Sequence, residues 1–201
     1  MYPVSIESPR LIFRDFQEGD LDGCMAIVGD PDVTTFLSFD TRSRDEHAEK
    51  LKADIERAQA DPRPDYYLAV IEKDTDVMVG FARLGLGRPR TAELGGAVRR
   101  DRWGRGYAIE AATTMLNFGF GTLDLHRIEG ACGPDNIASQ HLMDKLGFSY
   151  EGRMRDHVFT NGAWRDSLLY SILEHEWSPV TRGRPSRPLR HNGSSSWGGP
   201  T

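Results

Sequence analysis

Residues 93–120 limit most strongly what this chain can become. A strand-like stretch at 93–99 breaks into Trp103-Gly104-Arg105-Gly106-Tyr107-Ala108, and an apolar helical face at Ile109, Ala112, Leu116 and Phe120 begins at once. A helix that starts directly after glycines presents unpaired backbone N–H groups at the positive end of its dipole, which suits a phosphate. Gly104 and Gly106 leave the backbone uncovered, Ala108 lets a ligand approach the first turn, and Arg105 can add a charge-assisted contact. A Gly-x-Gly step alone is equally well a turn without a ligand. Two nucleotide-binding patterns are absent, because residue 109 is Ile where Gly-x-Gly-x-x-Gly needs glycine, and no Gly-Lys-Ser/Thr occurs. The junction therefore predicts a pyrophosphate cradle of another design.

The flanking sequence predicts the frame that holds this corner. Alternation at 10–14 predicts a first strand, and Gly19-Asp20 is expected to cap a helix through Leu21, Met25, Ile27 and Val28 that breaks at Pro31. A second helix is predicted over 45–60, with Ala48, Leu51, Ile55 and Ala58 on one face. Strands at 66–71, 77–86 and 93–99 are joined by short turns and so are expected to run antiparallel. A strand at 126–131, a helix at 136–146 ended by Gly147, and a hairpin around Asn161-Gly162 complete the pattern. This order predicts an α/β fold, a mixed sheet with helices packed on it. A chain of 201 residues with 38% hydrophobic content fits one domain over 1–177. Residues 178–201, rich in Pro, Gly, Ser and Arg, are expected to form a disordered tail.

Composition excludes other classes. A net charge of -5 without a basic run argues against nucleic acid as principal partner. No stretch approaches the roughly 18 apolar residues of a membrane span, and no secretory leader pattern opens the chain, so a cytoplasmic protein is expected. Cys24 and Cys132 lack metal-ligand spacing, so no metal is expected and both are read as reduced, buried thiols.

In an ordered set of landmarks the sequence resembles the GNAT superfamily of N-acetyltransferases, within it the RimJ/RimL-like branch. The family loop, Gln/Arg-x-x-Gly-x-Gly/Ala, matches Trp103-Gly104-Arg105-Gly106-Tyr107-Ala108, with Trp103 departing at its first position. Arg10-Leu11-Ile12-Phe13-Arg14, Glu93-Leu94-Gly95-Gly96-Ala97-Val98, Asn136-Ile137-Ala138-Ser139, Lys145-Leu146-Gly147-Phe148 and Glu151-Gly152 resemble its other landmarks, and Asp166 and Tyr170 fit its last strand. The resemblance implies a mostly antiparallel sheet with a splayed central strand pair, flanked by helices. Acetyl-CoA would serve as acyl donor, its pantetheine arm pairing with backbone groups near Ala97, Val98 and Arg99 while Asn136 bonds the same arm. An N–H near Val98 would polarise the thioester carbonyl.

Direct attack by an amine needs a base, and a proton or hydrogen bond for the departing sulfur. Many family members place a tyrosine where this chain has Met143, and some a carboxylate where it has Ala131. Ser139 is then the residue expected near the sulfur, as acid or as hydrogen-bond donor, and Glu93 is the first choice of base. Glu129, His157 and Asp166 rank behind Glu93, while His126 is read as structural. Acyl-enzyme chemistry on Cys132 is weighed and set aside. The acceptor is expected to be a protein N-terminal α-amine or a small-molecule amine, with Asp32, Phe36, Phe39 and Asp40 on its side of the fold. A homodimer is left open. The departures at Met143 and Ala131 keep a second reading, a catalytically silent CoA-binding module.

Overall fold

A computed structural model describes residues 1–178, so the predicted tail lies, past its first residue, outside the described residues. The chain forms β1 (Ser5–Glu7), β2 (Leu11–Asp15), α1 (Leu21–Val28), α2 (Pro31–Thr34), α3 (Arg44–Ala58), β3 (Asp65–Glu72), β4 (Val77–Leu86), β5 (Thr91–Val98), α4 (Tyr107–Gly121), β6 (Arg127–Cys132), α5 (Ile137–Leu146), β7 (Ser149–Thr160) and β8 (Ala163–Leu173). The strands make one sheet in the order β1-β2-β3-β4-β5-β6-β8-β7. Every neighbouring pair is antiparallel except β5 and β6.

The two-residue period of the strands feeds two cores on opposite faces of the sheet. Tyr66, Leu68 and Val70 join Met115, Leu116 and Leu146 on the α4–α5 face, while Ala69 and Ile71 join Cys24, Ile27 and Leu51 on the α1–α3 face. Helix α4 lies so close to β6 that a Cβ at Gly119 would stand 2.7 Å from the Ile128 side chain, which explains a glycine in a helix interior. No helix among the described residues is long and apolar enough to cross a membrane.

Local chemistry sets the boundaries. Ser43 and Glu46 form a reciprocal capping box at the start of α3, and Asn136 accepts from Ser139 N–H at the start of α5. Gly147 ends α5 in the left-handed region at φ 83°. Asn161 and Gly162 both take positive φ in the β7–β8 turn, as the dipeptide predicted. Pro31 does more than break a helix: it sits in the first turn of the short α2, where its missing N–H costs nothing. Asp20 does not cap α1 through its side chain. Its carboxylate accepts from Gln17 N–H (2.8 Å) and from the Arg14 guanidinium.

A buried ion pair ties the opening segment to the sheet. Asp15 on β2 accepts from Val4 N–H (2.7 Å) and from the Arg63 guanidinium (2.5 Å), both partners being almost wholly buried. Removing one member strands the other charge without water. Asp15→Ala is expected to lower the unfolding free energy by about 3–5 kcal/mol, measured as an earlier urea midpoint with unchanged slope. A loss below about 1 kcal/mol would place the pair with ordinary surface ion pairs.

Candidate active site

Strands β5 and β6 pair only at Thr91↔Arg127, Ala92↔Ile128 and Glu93↔Glu129, then part, although β5 continues to Val98 and β6 to Cys132. Main-chain groups in a strand point alternately to its two neighbours. Arg99 N–H donates to Val79 (2.8 Å) and Gly87 N–H to Thr91 O (3.2 Å), so the odd-numbered residues of β5 address β4. Leu94, Gly96 and Val98 therefore turn their backbone groups into the gap. Within 97–99, Ala97 and Arg99 belong to the β4 ladder, and the expected pantetheine contact narrows to Val98, with Gly96 beside it. Trp103 folds back so that its indole N–H donates to Val98 O (2.8 Å), leaving the Val98 N–H for the gap. Nothing in the sequence signalled that structural role for Trp103.

The far end of β5 turns through a 3-10 turn at Arg100–Arg102 into the glycine corner. Gly104 and Gly106 take φ of 72° and 78°, a region that penalises any Cβ, and Gly106 is the residue preceding α4. The N–H groups of Gly104, Arg105, Gly106, Tyr107, Ala108 and Ile109 find no acceptor among the described residues, while Glu110 N–H returns to Gly106 O. Gly104, Arg105, Gly106 and Ala108 are exposed, so their unpaired donors lie at the surface. A pyrophosphate diester, with two negative charges, fits such a nest without displacing any existing bond.

Neighbouring side chains hold the corner rigid. Arg10 donates from Nη1 to Arg105 O (2.9 Å), pairs with Glu110 (2.6 Å), and stacks 4.5 Å from the centre of the Tyr107 ring. Burial pulls the Glu110 carboxyl upward, but Ser8 Oγ–H, Arg10 N–H and the Arg10 guanidinium hold it below the usual carboxylate range. The Tyr107 hydroxyl donates to Glu72, which keeps that carboxyl low; Thr75 (2.7 Å) donates to Glu72 and Arg102 (3.5 Å) pairs with it. Tyr107 is thus buried support for the cradle, whereas Arg105 remains exposed and outside every ion pair among the described residues.

At the closed end of the gap a cross-strand row runs Asp65, Gly85, Glu93, Glu129 and Ser171. Ala92 and Leu94 enter the α4–α5 core, so Glu93 faces the other side of the sheet, with α1–α3. Glu93 is exposed, and neither hydrogen bond nor ion pair reaches it among the described residues. Its rivals are engaged. Glu129 lies 3.3 Å from Arg127, and the same guanidinium, with Ser171, brings Glu151 down to about 2. Asp166 accepts from Asp156 N–H (2.9 Å) and Arg153 (2.5 Å), and His157 Nδ1 lies 2.9 Å from Ser167 Oγ. His126 lies beside Glu174 (3.3 Å), at the start of β6 and away from the gap.

Ser139 occupies the first turn of α5, half-buried, with no hydrogen bond from its hydroxyl among the described residues. Asn136 uses its side-chain oxygen on the helix cap (3.0 Å) and keeps its amide N–H groups for another partner. Met143 is buried against Gly130, where an added Cβ would stand 2.7 Å from its methyl, so it fills core space and offers no proton. Burial pushes the Cys24 thiol up to about 12 and raises Cys132, so neither supplies a thiolate nucleophile. Asp32 pairs with Arg100 and Asp40 with the β7–β8 turn, so neither is a free charge for an acceptor.

A splayed parallel pair inside a mostly antiparallel sheet, with a glycine corner at its open end, defines an acyltransferase architecture. The family model of the acetyltransferase (GNAT) domain matches residues 10–149, and the chain belongs to that family of N-acetyltransferases, with RimJ/RimL-like relatives. Over 179 residues it is 29% identical to the uncharacterized N-acetyltransferase YnaD of Bacillus subtilis (strain 168), covering 87% of this chain and 100% of that one. It is 28% identical over 117 residues to the ribosomal protein uS5 alanine N-acetyltransferase of Escherichia coli (strain K12), spanning 57% of this chain and 60% of the relative. The Vibrio cholerae spermidine N-acetyltransferase structure, in complex with CoA and spermine, shares the fold with a TM-score of 0.73 at 22% identity, covering 84% and 98% of the two chains.

Proposed function

We propose that the protein moves an acetyl group from acetyl-CoA to a primary amine by direct attack in a ternary complex. One observation carries this reading: the gap between β5 and β6 opens toward the N–H groups of 104–109 and closes at Glu93 on the opposite face, and neither the N–H groups nor the carboxylate has a partner among the described residues. The five steps from Glu93 to Val98 span about 17 Å of strand, a length comparable to an extended pantetheine arm.

Acetyl-CoA supplies a thioester carbonyl open to attack by nitrogen. Gly104, Arg105, Gly106, Tyr107 and Ala108 hold its pyrophosphate through main-chain N–H groups, and Arg105 adds its charge. Gly96 and Val98 extend the sheet onto the pantetheine amides, Asn136 steadies the arm, and a gap-facing N–H donates to the carbonyl oxygen as charge builds there. Glu93 takes the proton that the amine releases as the C–N bond forms, directly or through a water. Ser139 donates a hydrogen bond to the sulfur as the C–S bond breaks. The α-amine of a protein N-terminus and a small-molecule amine both fit this chemistry, and the acetyltransferases named above include one for each kind.

Purified protein mixed with acetyl-CoA and a panel comprising peptides that begin with Ala or Ser, and spermidine, should release free thiol with at least one amine. CoA binding by calorimetry without turnover on any of them would instead favour a silent coenzyme-binding module.

A further inference from the structure

The segment between α2 and α3, residues 35–43, is anchored on both sides of the gap. It leaves from the half of the sheet that carries α1–α3, where Leu37 and Phe39 pack against the core containing Val33 and Phe81. Its other anchors belong to strands beyond the gap. Arg165 on β8 donates from its two terminal guanidinium nitrogens to Thr35 O and Leu37 O, each at 3.1 Å. Asp40 accepts from Thr160 Oγ–H (2.5 Å) and Asn161 N–H (2.7 Å) at the β7–β8 turn. In sheet order β5 and β6 stand between these two sets of anchors. The segment therefore crosses the gap at its open end, level with Gly133, on the same face of the sheet as Glu93. Thr34 and Thr41 join hydroxyls at 2.7 Å across its bend, and the Arg165 stem passes Gly133, where an added Cβ would come within 3.4 Å.

We propose that Arg165 and Asp40 are positioning residues that clamp residues 35–43 as a bridge over the open end of the gap, on the acceptor face, and so bound on that side the route by which an amine approaches Glu93. The proposal rests on the acetyltransferase reading. Neither residue touches the reacting atoms. The Arg165 fork grips two carbonyls and Asp40 grips a hydroxyl and an amide, so the bridge is held largely by its backbone and leaves Phe36, 39% exposed, free on its surface. A lysine at 165 carries one compact charge and could not hold both carbonyls in the same planar geometry.

The full chain and its Arg165→Ala, Arg165→Lys and Asp40→Ala variants would be compared by steady-state kinetics with acetyl-CoA and the most active amine of the panel above, by CoA calorimetry, and by hydrogen exchange. Arg165→Ala is expected to speed exchange in 35–43 and to raise the amine KM, each by about tenfold, as for the loss of one or two charged hydrogen bonds. Its kcat should fall less than its KM rises, and CoA affinity should stay within about twofold. Arg165→Lys should lie between. Combining Arg165→Ala with Asp40→Ala should add less than the separate effects, because both act on one segment. Unchanged exchange in 35–43, an unchanged amine KM, or an equal loss of CoA affinity would each overturn the proposal. If the unaltered protein turned over no amine, the acetyltransferase reading would fail, while the exchange result would still decide the clamp.

Discussion

Replacing Gly106 with valine is expected to weaken CoA binding by about 100-fold or more, the equivalent of losing two charge-assisted hydrogen bonds. At φ 78° a β-branched residue is strained, so the corner must shift and take the N–H groups of 104–109 out of convergence. Steric conflict with neighbours contributes little, because the nearest atom to an added Cβ is an Arg10 nitrogen at 3.5 Å. The fold should survive, since Gly106 is exposed and contributes no side chain to either core. Calorimetry with CoA and a thermal melt separate the two effects. Full affinity in a normally folded variant would remove the cradle assignment, and the proposed chemistry with it.

Replacing Glu93 with glutamine should lower kcat/KM by roughly 10²–10⁴-fold, the range ascribed to a positioned general base, while CoA affinity stays unchanged. The substitution keeps size and polarity and removes only the ability to accept a proton as an anion. Stability should move little, because the carboxylate is exposed and has no partner among the described residues. Near-normal turnover would shift the role to a water or to His157, the rival imidazole beside Ser167. Glu151 is a poor alternative, since Arg127 keeps it a fixed anion at about 2.

Much of the frame is written in local patterns. The helix predicted over 45–60 forms at Arg44–Ala58, and the strand predicted at 77–86 forms over the same residues. Asn161-Gly162 turns the last hairpin because its two positive φ values are a property of the dipeptide. Two elements escaped. β1 is three residues long, and its pairing with β2 rests on register contacts that no periodicity announces. α2 is a single turn whose proline reads in sequence as a stop. The glycine corner was legible because glycines before a helix imply free N–H groups wherever they occur. The candidate base was legible only as a choice among carboxylates, since ion pairing decides which of them is free.

By itself, the sequence determined the order of the longer strands and helices, the glycine corner, and the landmarks of the family, because side-chain period, capping and positive φ act over a few residues. Tertiary structure decided that Val98 rather than Ala97 or Arg99 faces the gap, that Glu93 alone of its row is exposed and without a partner among the described residues, and that residues 35–43 cross to the far strands. Those outcomes follow from strand register and from bonds between residues as far apart as Thr35 and Arg165, 130 positions along the chain, which no local pattern encodes.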